Sequence, residues 1–199
     1  MSNPVLVVGA TGTIGRAVVT ALEADGHEVM TAARSGADHD LDISDVDGVQ
    51  SLFEQTGSLG GIVSCAGSAR FVPLMDSTDE DWAFSLANKL MGQVNLVRFG
   101  AGRVDEGGNI TLTTGVLART PIPGSSILTT VNSALQGFVL SSVLELPKLR
   151  VNTVSPGWVA ETLAGMGQDP STGTPAAAVA ELYVRAVNDA PGGDVITIE

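Results

Sequence analysis

Cysteine, tyrosine and positive charge are all scarce in this chain. One cysteine in 199 residues, Cys65, cannot close an internal disulfide and is too few for a cysteine-based zinc site, which suits a reducing compartment. The two histidines, His27 and His39, have no second imidazole or thiol at ligand spacing, so no metal site is expected. Ten Lys and Arg against 22 Asp and Glu leave a net charge of −12, a field that repels phosphate backbones and anionic bilayers. No nucleic-acid partner and no membrane partner is therefore expected. Met1-Ser2-Asn3-Pro4 lacks the basic start and apolar run of a signal peptide, and no uncharged apolar stretch of about 18 residues follows. These absences lead us to expect a cytoplasmic protein. Internal repeats and low-complexity segments are also missing, and the 24 glycines are dispersed, so they read as turn and close-approach positions.

Alternation of strand-like and helix-like segments is the dominant pattern. Val5-Leu6-Val7-Val8 is a continuous apolar run suited to a strand buried on both faces. From Thr13, the residues Ile14, Ala17, Val18, Ala21 and Leu22 recur at helical spacing, with Gly26 as a stop. Further strands are predicted at Glu28 to Ala33, Asp38 to Leu41, Gly61 to Cys65, Asn109 to Thr113, Arg150 to Val154 and Val195 to Ile198. Helices are predicted from Ser44, within Asp79 to Val104, from Ser126 to Leu146 and from Pro175 to Val187. The order implies one α/β domain over residues 1–199: a doubly wound (Rossmann) parallel sheet with helices on both faces.

Gly9-Ala10-Thr11-Gly12-Thr13-Ile14-Gly15 falls in the turn between the first strand and the first helix, the context required for a dinucleotide fingerprint. There, a pyrophosphate meets backbone NH groups and the positive end of a helix, and missing side chains let it approach. A side chain at Gly9 is expected to fill that space without unfolding the chain. The end of the second strand, Thr31-Ala32-Ala33-Arg34-Ser35, has no carboxylate for a ribose 2′-hydroxyl but has a guanidinium for a 2′-phosphate. The cofactor expected is thus NADP(H), held in part by Gly9, Thr11, Gly12, Thr13, Ile14, Gly15, Arg34 and Ser35; a solvated surface Arg34 is the plainer alternative.

Several segments together resemble the short-chain dehydrogenase/reductase family over nearly the whole chain. Besides the glycine turn, Leu41-Asp42-Ile43 resembles the family's adenine-binding stretch, and Ser64-Cys65-Ala66-Gly67 its N-N-A-G strand end. Asp81-Trp82 is similar to the tryptophan before the long interface helix. Val151-Asn152-Thr153-Val154-Ser155-Pro156-Gly157 resembles the stretch preceding the nicotinamide contacts. The resemblance implies that Asp42, Ile43, Cys65, Ala66, Gly67, Pro156, Gly157, Val159 and Thr162 also line the cofactor. It implies a small-molecule substrate and a homodimer or homotetramer through two long helices, around Leu86 to Val104 and Ser126 to Leu146. Leu86, Leu90, Val94 and Val97 on one, and Ile127, Val131, Leu135, Phe138 and Val139 on the other, exceed what one buried face needs. Ser35 to Asp38 replaces a whole crossover helix of usual members.

The departures fall on the chemistry. The family moves protons with a Tyr and a Lys four residues later, a Ser before them and an Asn on the preceding helix. Asn132-Ser133-Ala134-Leu135-Gln136-Gly137 resembles the segment that begins at that Lys, so Asn132 takes the Lys position and Leu128 the Tyr position. The Ser spacing lands on Gly115, with Thr114 as the nearest hydroxyl. Seven residues after Trp82, Lys89 stands where the family keeps its Asn, with Asn88 as the alternative if the helix has slipped. Lys89, Asn132 and Thr114 are therefore the catalytic candidates. A partly desolvated amine near a positively charged nicotinamide has a lowered pKa, suited to a proton donor. Against this stands a solvated lysine in a site without turnover. Tyr183 and Cys65 read as core residues, and Thr129 or Thr130 as possible donors to a substrate oxygen. The Gly-rich segment Leu163 to Gly173 reads as an open or mobile lid. Three functions are compatible with these residues: an NADP-dependent reductase with a rearranged donor, a dinucleotide-binding protein without redox turnover, and a site reused for a non-redox rearrangement.

Overall fold

The computed structural model describes residues 3–198. Seven parallel strands form one sheet in the order β3-β2-β1-β4-β5-β6-β7: β1 (Val5–Val8), β2 (Val29–Ala33), β3 (His39–Asp40), β4 (Leu59–Ser64), β5 (Val104–Thr113), β6 (Arg150–Ser155) and β7 (Val195–Thr197). The helices are α1 (Thr13–Ala24), α2 (Val46–Gln55), α3 (Asp79–Ser85), α4 (Gly92–Gly100), α5 (Ser126–Glu145), α6 (Ala160–Gly165) and α7 (Ala176–Asn188). This is the doubly wound arrangement expected from the alternation, with a core on each side of the sheet. Val5, Val7, Val63 and Val154 meet Leu22 and Tyr183 of α1 and α7 on one face. Leu6, Ile62, Ile110 and Leu112 meet Val49 of α2, Leu96 of α4 and Leu135 of α5 on the other.

Close approach, not helix propensity, places α4. A Cβ on Gly92 would lie 2.8 Å from Ile43 Cδ1, and one on Gly100 would lie 2.6 Å from both Ile62 Cδ1 and Phe53 Cζ. The helix therefore rests on its neighbours at backbone distance at both ends. It stops at Gly100, earlier than the expected Val104, because Val104 opens β5 opposite Leu59. Between α3 and α4, residues Leu86–Met91 form a π-helical turn that no sequence pattern announced.

Parallel strands ordinarily need a crossover of a dozen or so residues. Here β2 and β3 are joined by residues 34–38 alone, because only Ala32 and Ala33 pair with His39 and Asp40. So short a return needs no helix. Asp38 seals the turn, accepting from the Thr31 N–H at 2.9 Å and its hydroxyl at 2.7 Å.

Two expectations about the helices are corrected. Ser126–Glu145 is, by length and hydropathy, a helix that could cross a membrane, contrary to the expected absence of such a stretch. Its Ile127, Val131, Leu135 and Val139 are buried, the last two in the core formed with the sheet. Those four, with Val94 and Val97, belong to the chain's own core, so they supply none of the apolar surface expected beyond one buried face. The exposed apolar side chains of the two helices are Leu86, one of those expected, with Met91 at the other end of the π-turn, and Leu140 and Leu144 on α5.

Candidate functional site

The carboxyl ends of β1, β4, β5 and β6 lie side by side, and the residues that follow them carry most of the predicted site. Gly9 ends β1 with φ +83°, and a Cβ there would lie 2.8 Å from the Ala66 nitrogen and 2.9 Å from the Cys65 carbonyl carbon. Its glycine is thus demanded by the neighbouring β4 turn, and the expectation that a side chain at Gly9 would spare the fold is corrected. Gly15 is likewise required by the chain itself, since a Cβ there would meet the Gly9 oxygen. Gly12 and Thr13 are exposed, while Thr11 and Ile14 are half-buried. The N-terminus of α1 has no side-chain cap and no acidic residue in its first turn. Its free NH groups and dipole can therefore accept a phosphate, which is the fit that a dinucleotide requires.

At the rim, Arg34 and Ser35 are exposed, and a Cβ on Gly36 would lie 3.8 Å from Thr11 Cγ2, so the β2–β3 turn stands beside the glycine turn. The one nearby carboxylate in that turn, Asp38, is committed to Thr31, whose hydrogen bonds hold it below its ordinary pKa. Asp42 is exposed and accepts from the Ser44 hydroxyl at 2.6 Å and N–H at 2.9 Å. Those bonds lower its pKa, with a smaller contribution from the Arg34 charge. Ile43 is buried beneath α4.

Beyond β4, the Cys65 N–H donates to Val8 O at 2.7 Å, and burial pushes the Cys65 thiol pKa up, which makes it inert. Ala66 is half-buried and Gly67 exposed. Gly67 has φ +134°, and a Cβ there would lie 3.1 Å from Lys89 Cγ, so the glycine leaves room for the lysine stem. Lys89 sits in the π-turn and is only 8% exposed. Its ammonium has no hydrogen bond or ion pair among the described residues, and burial lowers its pKa to about 8. Asn88, the alternative, uses its amide oxygen to accept from the Ser68 N–H at 2.7 Å.

Asn132 on α5 is 2% exposed with its Oδ1 unpartnered, and a Cβ on Gly115 would lie 3.2 Å from its Nδ2. Thr114 turns into the fold, where its hydroxyl oxygen accepts from the Gly115 N–H and from Gln136 Nε2. Thr129 and Thr130 donate to the carbonyls of Leu117 and Ser126, both at 2.9 Å. Leu128 is half-buried. Tyr183 is fully buried, hydrogen-bonded to Thr113 Oγ1 at 2.6 Å, with its pKa raised by burial, as a packing residue should be.

After β6, Pro156 is buried, Gly157 is half-buried, and Val159 packs into the core beside α7. Thr162 is half-buried on α6. The segment expected to be an open lid is pinned at its base. Val159 bridges Thr174, Thr174 N–H donates to Trp158 O at 2.7 Å, and the Glu161 carboxylate accepts from Ala176 N–H at the start of α7. Sequence reasoning missed Gln93, a fully buried amide four residues beyond Lys89, whose only signal was its polarity beside Val94, Leu96 and Val97. Concavities of about 400 and 330 Å³ lie along β7 and contain none of the predicted site residues.

A family model described as Enoyl-(Acyl carrier protein) reductase matches residues 9–188. The chain is 30% identical to the L-xylulose reductase of Bos taurus over 182 residues, covering 82% of this chain and 73% of that one. It superposes on the protein lin1944 from Listeria innocua with a TM-score of 0.93 and 35% identity, each chain covered in full. A small-chain dehydrogenase crystallised in complex with NADPH gives a TM-score of 0.88 at 26% identity, with 100% of this chain and 97% of that one covered.

Proposed function

The chain belongs to the short-chain dehydrogenase/reductase family, and we propose that within it the chain is an NADP(H)-dependent reductase of a small carbonyl or enone substrate, with Lys89 as proton donor. The observation that carries this reading is a buried lysine without a partner, standing beside the strand ends where the cofactor's reactive half would lie. A charge so largely desolvated and without a protein partner costs folding free energy, so its retention argues for use. When bound, NADPH supplies the hydride.

The chain's own residues divide the remaining work. The N–H groups of Thr13 and Ile14 hold the pyrophosphate where Gly12 lets it approach, Arg34 and Ser35 hold the 2′-phosphate, and Asp42 and Ile43 the adenine end. Backbone at Cys65, Ala66, Gly67, Pro156, Gly157, Val159 and Thr162 surrounds the nicotinamide half. Lys89 Nζ donates a proton to the oxygen left negative by reduction, and Asn132 orients substrate or cofactor with its amide. Thr114 acts through Gln136 and the backbone.

The rim favours an apolar substrate over a sugar. Phe71, Ile122, Trp158 and Met166, all exposed, stand on the loops after β4, β5 and β6. Exposed Leu140 and Leu144 on α5 favour a homo-oligomer, and sedimentation should give a dimer or tetramer at micromolar concentration.

Leu128 in place of a tyrosine favours the second reading, a protein that binds the dinucleotide without turnover. The two readings separate on NADPH oxidation by the purified protein against apolar ketones, quinones, enones and sugars. Turnover with an apolar carbonyl supports the reductase; tight NADPH binding with no turnover across the panel supports the binding protein.

A further inference from the structure

The π-turn that bears Lys89 is held by one buried side chain. Gln93 is fully buried, and both ends of its amide are hydrogen-bonded. Its Nε2 donates to Lys89 O at 3.1 Å and to Thr113 O at 2.9 Å, and its Oε1 accepts from the Thr113 N–H at 2.7 Å. The β4–β5 ladder ends with Val63 opposite Thr111, so the amide and carbonyl of Thr113 have lost their strand neighbour. Gln93 takes that neighbour's place. A leucine or methionine could fill the same space, but would leave the N–H and the C=O of Thr113 without this partner.

The same amide borders Lys89's stem. A Cβ on Gly67 would lie 3.1 Å from Lys89 Cγ and 3.6 Å from Gln93 Nε2, so glycine, lysine and glutamine share one contact. In the turn itself the Gly92 N–H reaches back to Ala87 O, the five-residue spacing of a π-helix. Such a turn interrupts the regular ladder and persists where tertiary contacts fix it. One such contact is the bond from Gln93 to the Lys89 carbonyl.

We infer that Gln93 is a positioning residue, which sets the reach of the Lys89 ammonium by tying its π-turn to the end of β5. The inference rests on Lys89 being the proton donor. Misplacing a donor by about 1 Å can cost on the order of a hundredfold in rate, whereas binding of the dinucleotide at α1 is unaffected by such a shift.

A double-mutant cycle on the full-length protein separates positioning from scaffolding. Gln93→Met should lower kcat by about tenfold or more and leave the KM for NADPH unchanged. In a Lys89→Met background, whose residual turnover is the reference, Gln93→Met should change kcat by less than about twofold, because the group it positions is gone. Equal losses in the two backgrounds, or a parallel rise in KM, overturn the inference while leaving Lys89's role intact. Unchanged kcat in Lys89→Met overturns Lys89's role and the inference with it. Should Gln93→Met not fold, Gln93→Asn, which keeps an amide too short to span both partners, enters the same cycle with the same expected outcome.

Discussion

A Cβ on Gly15 would lie 2.0 Å from the carbonyl oxygen of Gly9, so α1 crosses the β1 turn at backbone contact. Two of the three spaced glycines in this turn are thus explained by the chain's own packing. Gly12 differs: it is exposed, and a Cβ there would meet only the Gly9 oxygen, at 3.3 Å. Gly15→Ala and Gly9→Val should therefore lower the melting temperature sharply. Gly12→Ala should melt near the parent and lose about tenfold or more in NADPH affinity, as measured by calorimetric titration. Normal affinity in Gly12→Ala would remove the pyrophosphate from this turn.

Arg34 should decide between the two nicotinamide dinucleotides. It is exposed beside the glycine turn, and the nearby Asp38 is bound to Thr31, leaving no free carboxylate in the β2–β3 turn to favour a ribose hydroxyl. A charge-assisted bond to a phosphate is worth about 1.5 to 3 kcal/mol, so Arg34→Ala should weaken NADPH by roughly ten- to hundredfold and NADH hardly at all. Equal weakening of both, or of neither, would contradict the assignment.

Buried Lys89 should make the protein more stable toward alkaline pH. Burial holds its folded pKa near 8, below that of the unfolded chain. Between the two values the unfolded state binds more protons, so this lysine's contribution to stability rises as pH climbs from about 8 toward 10 and its cost is fully present below about 8. Lys89→Met should accordingly raise stability near pH 7 by about 3 kcal/mol and flatten that rise. Urea unfolding of parent and variant at both ends of the window isolates the lysine from Cys65 and Tyr183, which are common to both. A destabilised Lys89→Met at neutral pH would show that the ammonium has a partner.

What could be read from the sequence was whatever depends on local pattern. The Val5-Leu6-Val7-Val8 run is β1 residue for residue, and the glycine turn sits between strand and helix as its context required. Val104 was misplaced because helix and strand periods cannot be told apart over a few residues, and only pairing with Leu59 settles it. Which apolar residues of α5 face inward depends on where the sheet lies, and a helical period alone does not tell buried Val131 and Leu135 from exposed Leu140 and Leu144. The π-turn and Gln93 have no sequence signal. A π-turn adds one residue to a helix without altering its composition, and Gln93 acquires a role only when β5 brings Thr113 to it.

Turnover in Lys89→Met tests the central claim most directly. The substitution keeps most of the stem's bulk against Gly67 and removes the ammonium, so NADPH affinity should stay within about twofold of the parent while kcat for an accepted carbonyl falls by about a hundredfold or more. Above pH 8 the parent's own rate should decline as the ammonium deprotonates, and the residual rate of the variant should not follow it. Parent-like kcat in Lys89→Met, with the same alkaline decline, would contradict the assignment of Lys89 as proton donor.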